Sequence, residues 1–151
     1  GPYNGRPRSF EEPALHTWVM TREGLRKKTT TSSGGRNRVK IEKRQQGDVT
    51  VVIIEGVIKL GESARLFSQY LKELIEGGTG PVLIDMTAID YVDSTGLGEL
   101  VGYLQRFEGQ GRRLALLRPQ TRILNLLKLT QLDKVFKIFS DEREAVSALK
   151  E

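Results

Sequence analysis

Val82-Leu83-Ile84-Asp85-Met86-Thr87-Ala88-Ile89-Asp90-Tyr91-Val92-Asp93-Ser94-Thr95-Gly96-Leu97-Gly98 is the stretch whose reading decides the fold. Val82-Leu83-Ile84 has the unbroken apolar run of a strand buried on both faces. Past the turn, Leu97, Leu100, Val101, Leu104 and Phe107 fall on one side of a helix over residues 94–108, which Gly109 and Gly111 end. The junction is therefore strand, turn, helix, with Asp93-Ser94-Thr95-Gly96 where the helix begins. Asp and Ser side chains accept the free backbone N–H groups of a first helical turn. Gly96 and Gly98 carry no side chain, so the backbone there can be approached closely. Ser94 is expected to cap the helix and to present a hydroxyl at the positive end of its dipole. An anion gains about 0.3–1 kcal/mol at such a place. The same residues also serve as a plain helix cap, and the junction alone leaves both readings open.

Outward from this junction the pattern stays regular. Val39–Arg44 alternates as a strand does, and Val49-Thr50-Val51-Val52-Ile53-Ile54 is β-branched throughout. Residues 62–76 place Leu66, Phe67, Tyr70, Leu71, Leu74 and Ile75 on one helical face, ended by Gly77-Gly78. Leu114-Ala115-Leu116-Leu117 is a strand that Pro119 breaks. Residues 120–129 form a short Leu/Ile-rich helix, Val135–Phe139 a strand, and Glu142–Leu149 a last helix. Such alternation predicts an α/β fold: a mostly parallel sheet of four or five strands with crossover helices over residues 38–151.

Residues 1–37 differ in kind. Within residues 1–40 nine Lys and Arg face three acidic residues, whereas the rest of the chain is nearly neutral, so the net charge of +5 belongs to the front. Pro2, Pro7 and Pro13, the run Arg26-Lys27-Lys28 and the polar stretch Thr29–Gly35 predict a disordered basic extension. Leu15, Trp18, Val19 and Met20 form its one apolar piece, readable as tail or as a short docking motif. The opening Gly1-Pro2, without Met, reads as a processed or tag-cleaved end.

Composition narrows the chemistry. Cysteine is absent and His16 is the single histidine, which disfavours disulfides, thiol chemistry, a zinc site and a Ser-His-Asp triad. Neither a nucleophile elbow nor a phosphate-binding P-loop nor a GxGxxG turn is present. Asp85, Asp90 and Asp93 suggest a Mg2+ site on paper, yet turn and cap roles suit them as well. No metal and no cofactor is expected. The sequence shows no membrane span and no secretion signal, and a cytoplasmic protein without direct nucleic-acid binding is expected.

Tyr91-Val92-Asp93-Ser94-Thr95-Gly96-Leu97-Gly98 resembles the signature of the STAS domain, and specifically that of the bacterial anti-sigma factor antagonists. The resemblance extends to Ile54-Glu55-Gly56, to Gly111–Leu116, and to residues 121–136, over about residues 38–151. It implies a partner switch and not an enzyme. By the resemblance, Ser94 is the residue phosphorylated by an anti-sigma factor with GHKL-type serine kinase activity. A PP2C-type phosphatase would restore it, and the unphosphorylated form would bind the anti-sigma factor and free a sigma factor. Asp93, Ser94, Thr95, Gly96, Leu97 and Lys59 are the implied partner-binding residues. The sequence departs from the family at Gly56-Val57-Ile58-Lys59, where Lys59 stands in place of the usual Asp. The other implied role is a STAS scaffold that is never phosphorylated, within a lipid-transport ATPase complex or a stress-sensing complex.

Overall fold

The computed structural model describes residues 39–150 and the backbone of residues 18–21 and 24–31. Among the described residues a seven-stranded sheet runs in the order β1 to β7, so spatial order follows chain order. The strands are β1 (Trp18–Thr21), β2 (Gly24–Thr31), β3 (Val39–Gln46), β4 (Val49–Ile58), β5 (Val82–Val92), β6 (Leu114–Leu117) and β7 (Lys137–Phe139). From β1 to β4 neighbours are antiparallel; from β4 to β7 they are parallel.

The part from β3 to β7 is the mostly parallel, five-stranded sheet that the alternating pattern predicts. Its connections are α1 (Glu62–Gly77), α2 (Ser94–Gly109) and α3 (Thr121–Leu129), and α4 (Glu142–Lys150) closes the chain. Right-handed crossovers that always step the same way along a sheet put their helices on one face. Accordingly Phe67, Leu71, Leu100, Phe107, Ile123 and Leu127 share one core with Val52, Ile54 and Ile84. α4 makes no crossover and covers the other face, where Ala145 and Leu149 meet Val49, Val51, Leu83 and Ala115.

β1 and β2 lie within residues 1–37 and continue the sheet beside β3. Most of the stretch read as a disordered extension, residues 1–17, 22–23 and 32–38 with Leu15 and His16, lies outside the described residues. Two expectations change. β5 is much longer than Val82–Ile84, reaching Val92. Its register shifts near Asp85, whose Oδ1 accepts from the Thr87 N–H at 3.0 Å and the Thr87 hydroxyl at 2.6 Å. The carboxylate thus holds a bulge that lets a polar segment stay in the sheet. The last strand begins later than Val135, which is half exposed after a 3-10 turn over Leu132–Lys134, while Phe136 is buried.

Candidate functional site

β4 and β5 end side by side, with Ile58 opposite Val92. The Asp93 N–H donates to the Ile58 carbonyl at 3.2 Å, so the chain leaves β5 still fastened to β4. Asp93 then turns extended and caps α2: its Oδ1 accepts from the Gly96 N–H at 3.0 Å. The second oxygen, Oδ2, accepts from the Leu60 N–H at 2.9 Å. One carboxylate therefore joins the start of α2 to the β4–α1 loop. Partial burial pushes the Asp93 carboxyl up, but the N–H groups of Leu60 and Gly96 outweigh it and hold the group below the usual carboxylate range.

Gly96 is required by space. A Cβ there would lie 2.9 Å from both Ile58 Cγ2 and Val92 Cγ1 and 3.1 Å from the Ile58 carbonyl oxygen. The first turn of α2 rests directly on the two strand ends, and Leu97 follows it into the core. Gly98 faces open space, so no such packing demand acts there.

Ser94 was expected to cap α2; the cap is Asp93, and Ser94 is the first helical residue. The Asp93 carboxylate has two oxygens, one for the Gly96 N–H and one for the Leu60 N–H, where a serine side chain has one. Freed from capping, Ser94 is exposed at the helix's positive end, with Thr95 half-buried beside it. Lys59 is half-buried in the neighbouring loop. Its N–H donates to Ser63 Oγ at 3.0 Å, and its carbonyl accepts from the Ser63 hydroxyl at 3.2 Å and the Ala64 N–H at 3.1 Å. The structure thus brings Lys59's loop and Asp93–Leu97 to one corner of the sheet. Asp85 and Asp90 are not drawn into it; among the described residues no group of three acidic or histidine side chains could hold a metal.

An apolar surface beside this corner escapes the sequence reading. Tyr91, Val92, Ile123, Leu126 and Leu129 line a groove of about 300 Å³, with Arg122 and Asn125 at its margin. Leu129 is 82% exposed, Leu60 76% and Tyr91 43%. The signal was in α3: Ile123, Leu124, Leu126, Leu127 and Leu129 are too many apolar residues for one buried stripe of a nine-residue helix, and only Ile123 and Leu127 are buried.

The model of the STAS domain family matches residues 40–145. The chain belongs to the STAS domain family. Two curated relatives carry the name anti-sigma factor antagonist. A Thermotoga neapolitana protein bearing that name is 30% identical over 86 residues, 56% of this chain and 76% of its own length. The crystal structure of an anti-sigma factor antagonist from Thermotoga maritima superposes with a TM-score of 0.68 at 24% identity, over 72% of this chain and 93% of that one. The Bacillus cell fate determinant SpoIIAA in its phosphorylated form gives 0.57 at 16% identity, over 72% and 97%. These two likenesses show a shared STAS fold. No helix among the described residues is long and apolar enough to cross a membrane.

Proposed function

We propose that this STAS protein is an anti-sigma factor antagonist, a binding switch and not a catalyst, controlled by phosphorylation of Ser94 in the cytoplasm. The observation that carries the reading is the exposure of the Ser94 hydroxyl at the start of α2, released from capping by Asp93. A kinase can reach it without unfolding the helix. Phosphate there adds about −1.5 to −2 charges at the favourable end of the dipole, so α2 tolerates the modification. The cost falls on the complex. Leu60, Tyr91 and Leu129 make the adjoining surface apolar, and burying a phosphate against a partner without a paired cation weakens binding.

The partner of the unphosphorylated form is an anti-sigma factor with GHKL-type serine kinase activity, and a PP2C-type phosphatase resets the switch. Asp93, Thr95, Gly96, Leu97 and Lys59 shape the contact around Ser94. The test is phosphopeptide mass spectrometry after incubation with ATP and the cognate anti-sigma kinase. Phosphate on Ser94, and none in Ser94→Ala, is expected; phosphate only elsewhere, or none, contradicts the proposal. The continuation of the sheet by β1 and β2 favours a second reading, a scaffold that is never phosphorylated and joins a larger assembly. Ser94 unmodified in native cells under all growth conditions, with the protein held in a stable large complex, would favour it.

A further inference from the structure

On the sheet face opposite α1, α2 and α3, a groove of about 790 Å³ runs beside α4 toward β3. Four cations line it, Arg44, Arg118, Arg143 and Lys150, against two carboxylates, Asp141 and Glu142. Both carboxylates are engaged. Asp141 Oδ2 accepts the Glu144 N–H at 3.1 Å and so caps α4. Glu142 pairs with Arg44 at 2.7 Å and accepts from Gln46 Nε2 at 3.3 Å. The bond from Arg44 holds the Glu142 carboxyl below its usual range against the upward pull of burial, with Gln46 and Arg118 helping. Arg143 and Lys150 are exposed and have no ion-pair partner among the described residues.

Arg118 is held in place at a conformational cost. Its φ is 49°, in the left-handed region that side-chain-bearing residues seldom adopt. The residue is pinned by its N–H on the Phe139 carbonyl at 2.8 Å and by Nε on Thr87 Oγ1 at 3.1 Å. The fold thus accepts a strained backbone while keeping an arginine at the groove. The β2–β3 register sets Arg26 opposite Arg44, so the next strand brings a further basic residue to a position beside the groove.

We propose that this groove is a second docking surface that takes an acidic segment of a protein partner. It goes beyond the Ser94 switch and does not rest on it, since α2 packs on the other face of the sheet. A peptide can set spaced carboxylates against Arg118, Arg143 and Lys150 while skirting Asp141 and Glu142. A nucleic-acid strand fits less well, because among the described residues no aromatic side chain lines the groove to stack a base.

The probe is a fluorescein-labelled oligoglutamate peptide, titrated with the full chain by fluorescence anisotropy. Saturable binding is expected, weakening about tenfold as salt rises from about 0.05 M to about 0.3 M. The double variant Arg143→Glu, Lys150→Glu is expected to lose about tenfold in affinity, and Ser94→Asp to bind as the wild type does. Both substituted side chains are exposed, so the melting temperature should hold; if it falls, Arg143→Gln replaces the pair with the same direction expected. No saturable binding, or undiminished binding by the charge variant, would overturn the proposal. So would a single-stranded oligothymidylate of equal charge that competes as well as the peptide, because the groove would then read charge alone.

Discussion

α1 starts behind Gly61, which holds φ 116° and offers no side chain to cap the helix, and Ser63 instead folds back onto the Lys59 backbone. α2 starts behind Asp93, whose carboxylate accepts from Gly96 of its own helix and from Leu60 of the other loop. The two helices thus begin at the same corner of the sheet. The first start is closed by one buried hydroxyl, that of Ser63, on its own loop. The second is fixed by a carboxylate, by a glycine pressed on two strand ends, and by Leu97 in the core. The difference places more fixings at the start of α2, where Ser94 sits, than at the loop of Lys59. The proposed switch, which works by adding charge, needs a fixed platform, and these contacts are what would hold the first turn of α2 in place.

The largest effect is expected from Asp93→Ala. It removes a helix cap of about 1 kcal/mol together with a charge-assisted bond from Leu60, for a total near 2–3 kcal/mol by chemical denaturation. Because the folded Asp93 carboxyl lies below its ordinary value, its contribution is present above about pH 4 and is lost as pH falls through the folded value. The stability gap between wild type and Asp93→Asn should therefore narrow on acidification. A constant gap would show that the ionised carboxylate is not what fastens the corner.

Next comes a contrast between two glycines of one helix. Gly96→Ala should lose about 1–2 kcal/mol, because overpacking against Ile58 and Val92 exceeds the usual gain of alanine in a helix. Gly98→Ala has open space and should gain about 0.5–1 kcal/mol. Equal melting temperatures for the two variants would contradict the tight seating of α2. The smallest effect is expected at Lys59→Asp, with little change in the unphosphorylated protein. In the phosphorylated protein the variant should melt lower than wild type, since an ammonium near the phosphate makes a charge-assisted contact that a carboxylate reverses. An identical response to phosphorylation in both backgrounds would mean that Lys59 does not sense the phosphate.

Much of the fold is legible because its signals are local. The β-branched run Val49–Ile54 and the apolar stripes of α1 and α2 declare themselves within one element. Asp93–Leu97 is legible as a helix start for the same reason: polar entry, glycine and core leucine lie within five consecutive residues. What escapes depends on neighbours distant in sequence. The polar half of β5 remains a strand because Asp85 stabilises a bulge and β4 continues beside it. The capping role falls to Asp93 and not Ser94 because of Leu60, thirty-three positions away. The groove beside Tyr91 exists only where α3 meets the end of β5.

If charge at Ser94, and not refolding, sets partner binding, three proteins suffice to show it. The most direct measurement is the affinity of the cognate anti-sigma factor for wild type, Ser94→Ala and Ser94→Asp by titration calorimetry, with the fold of each checked by amide spectra. Native spectra are expected for all three, with wild-type affinity for Ser94→Ala and a loss of about a hundredfold or more for Ser94→Asp, about 2.7 kcal/mol. Equal affinity across the three, or weak binding by Ser94→Asp explained by an unfolded α2, would contradict a switch that works by charge.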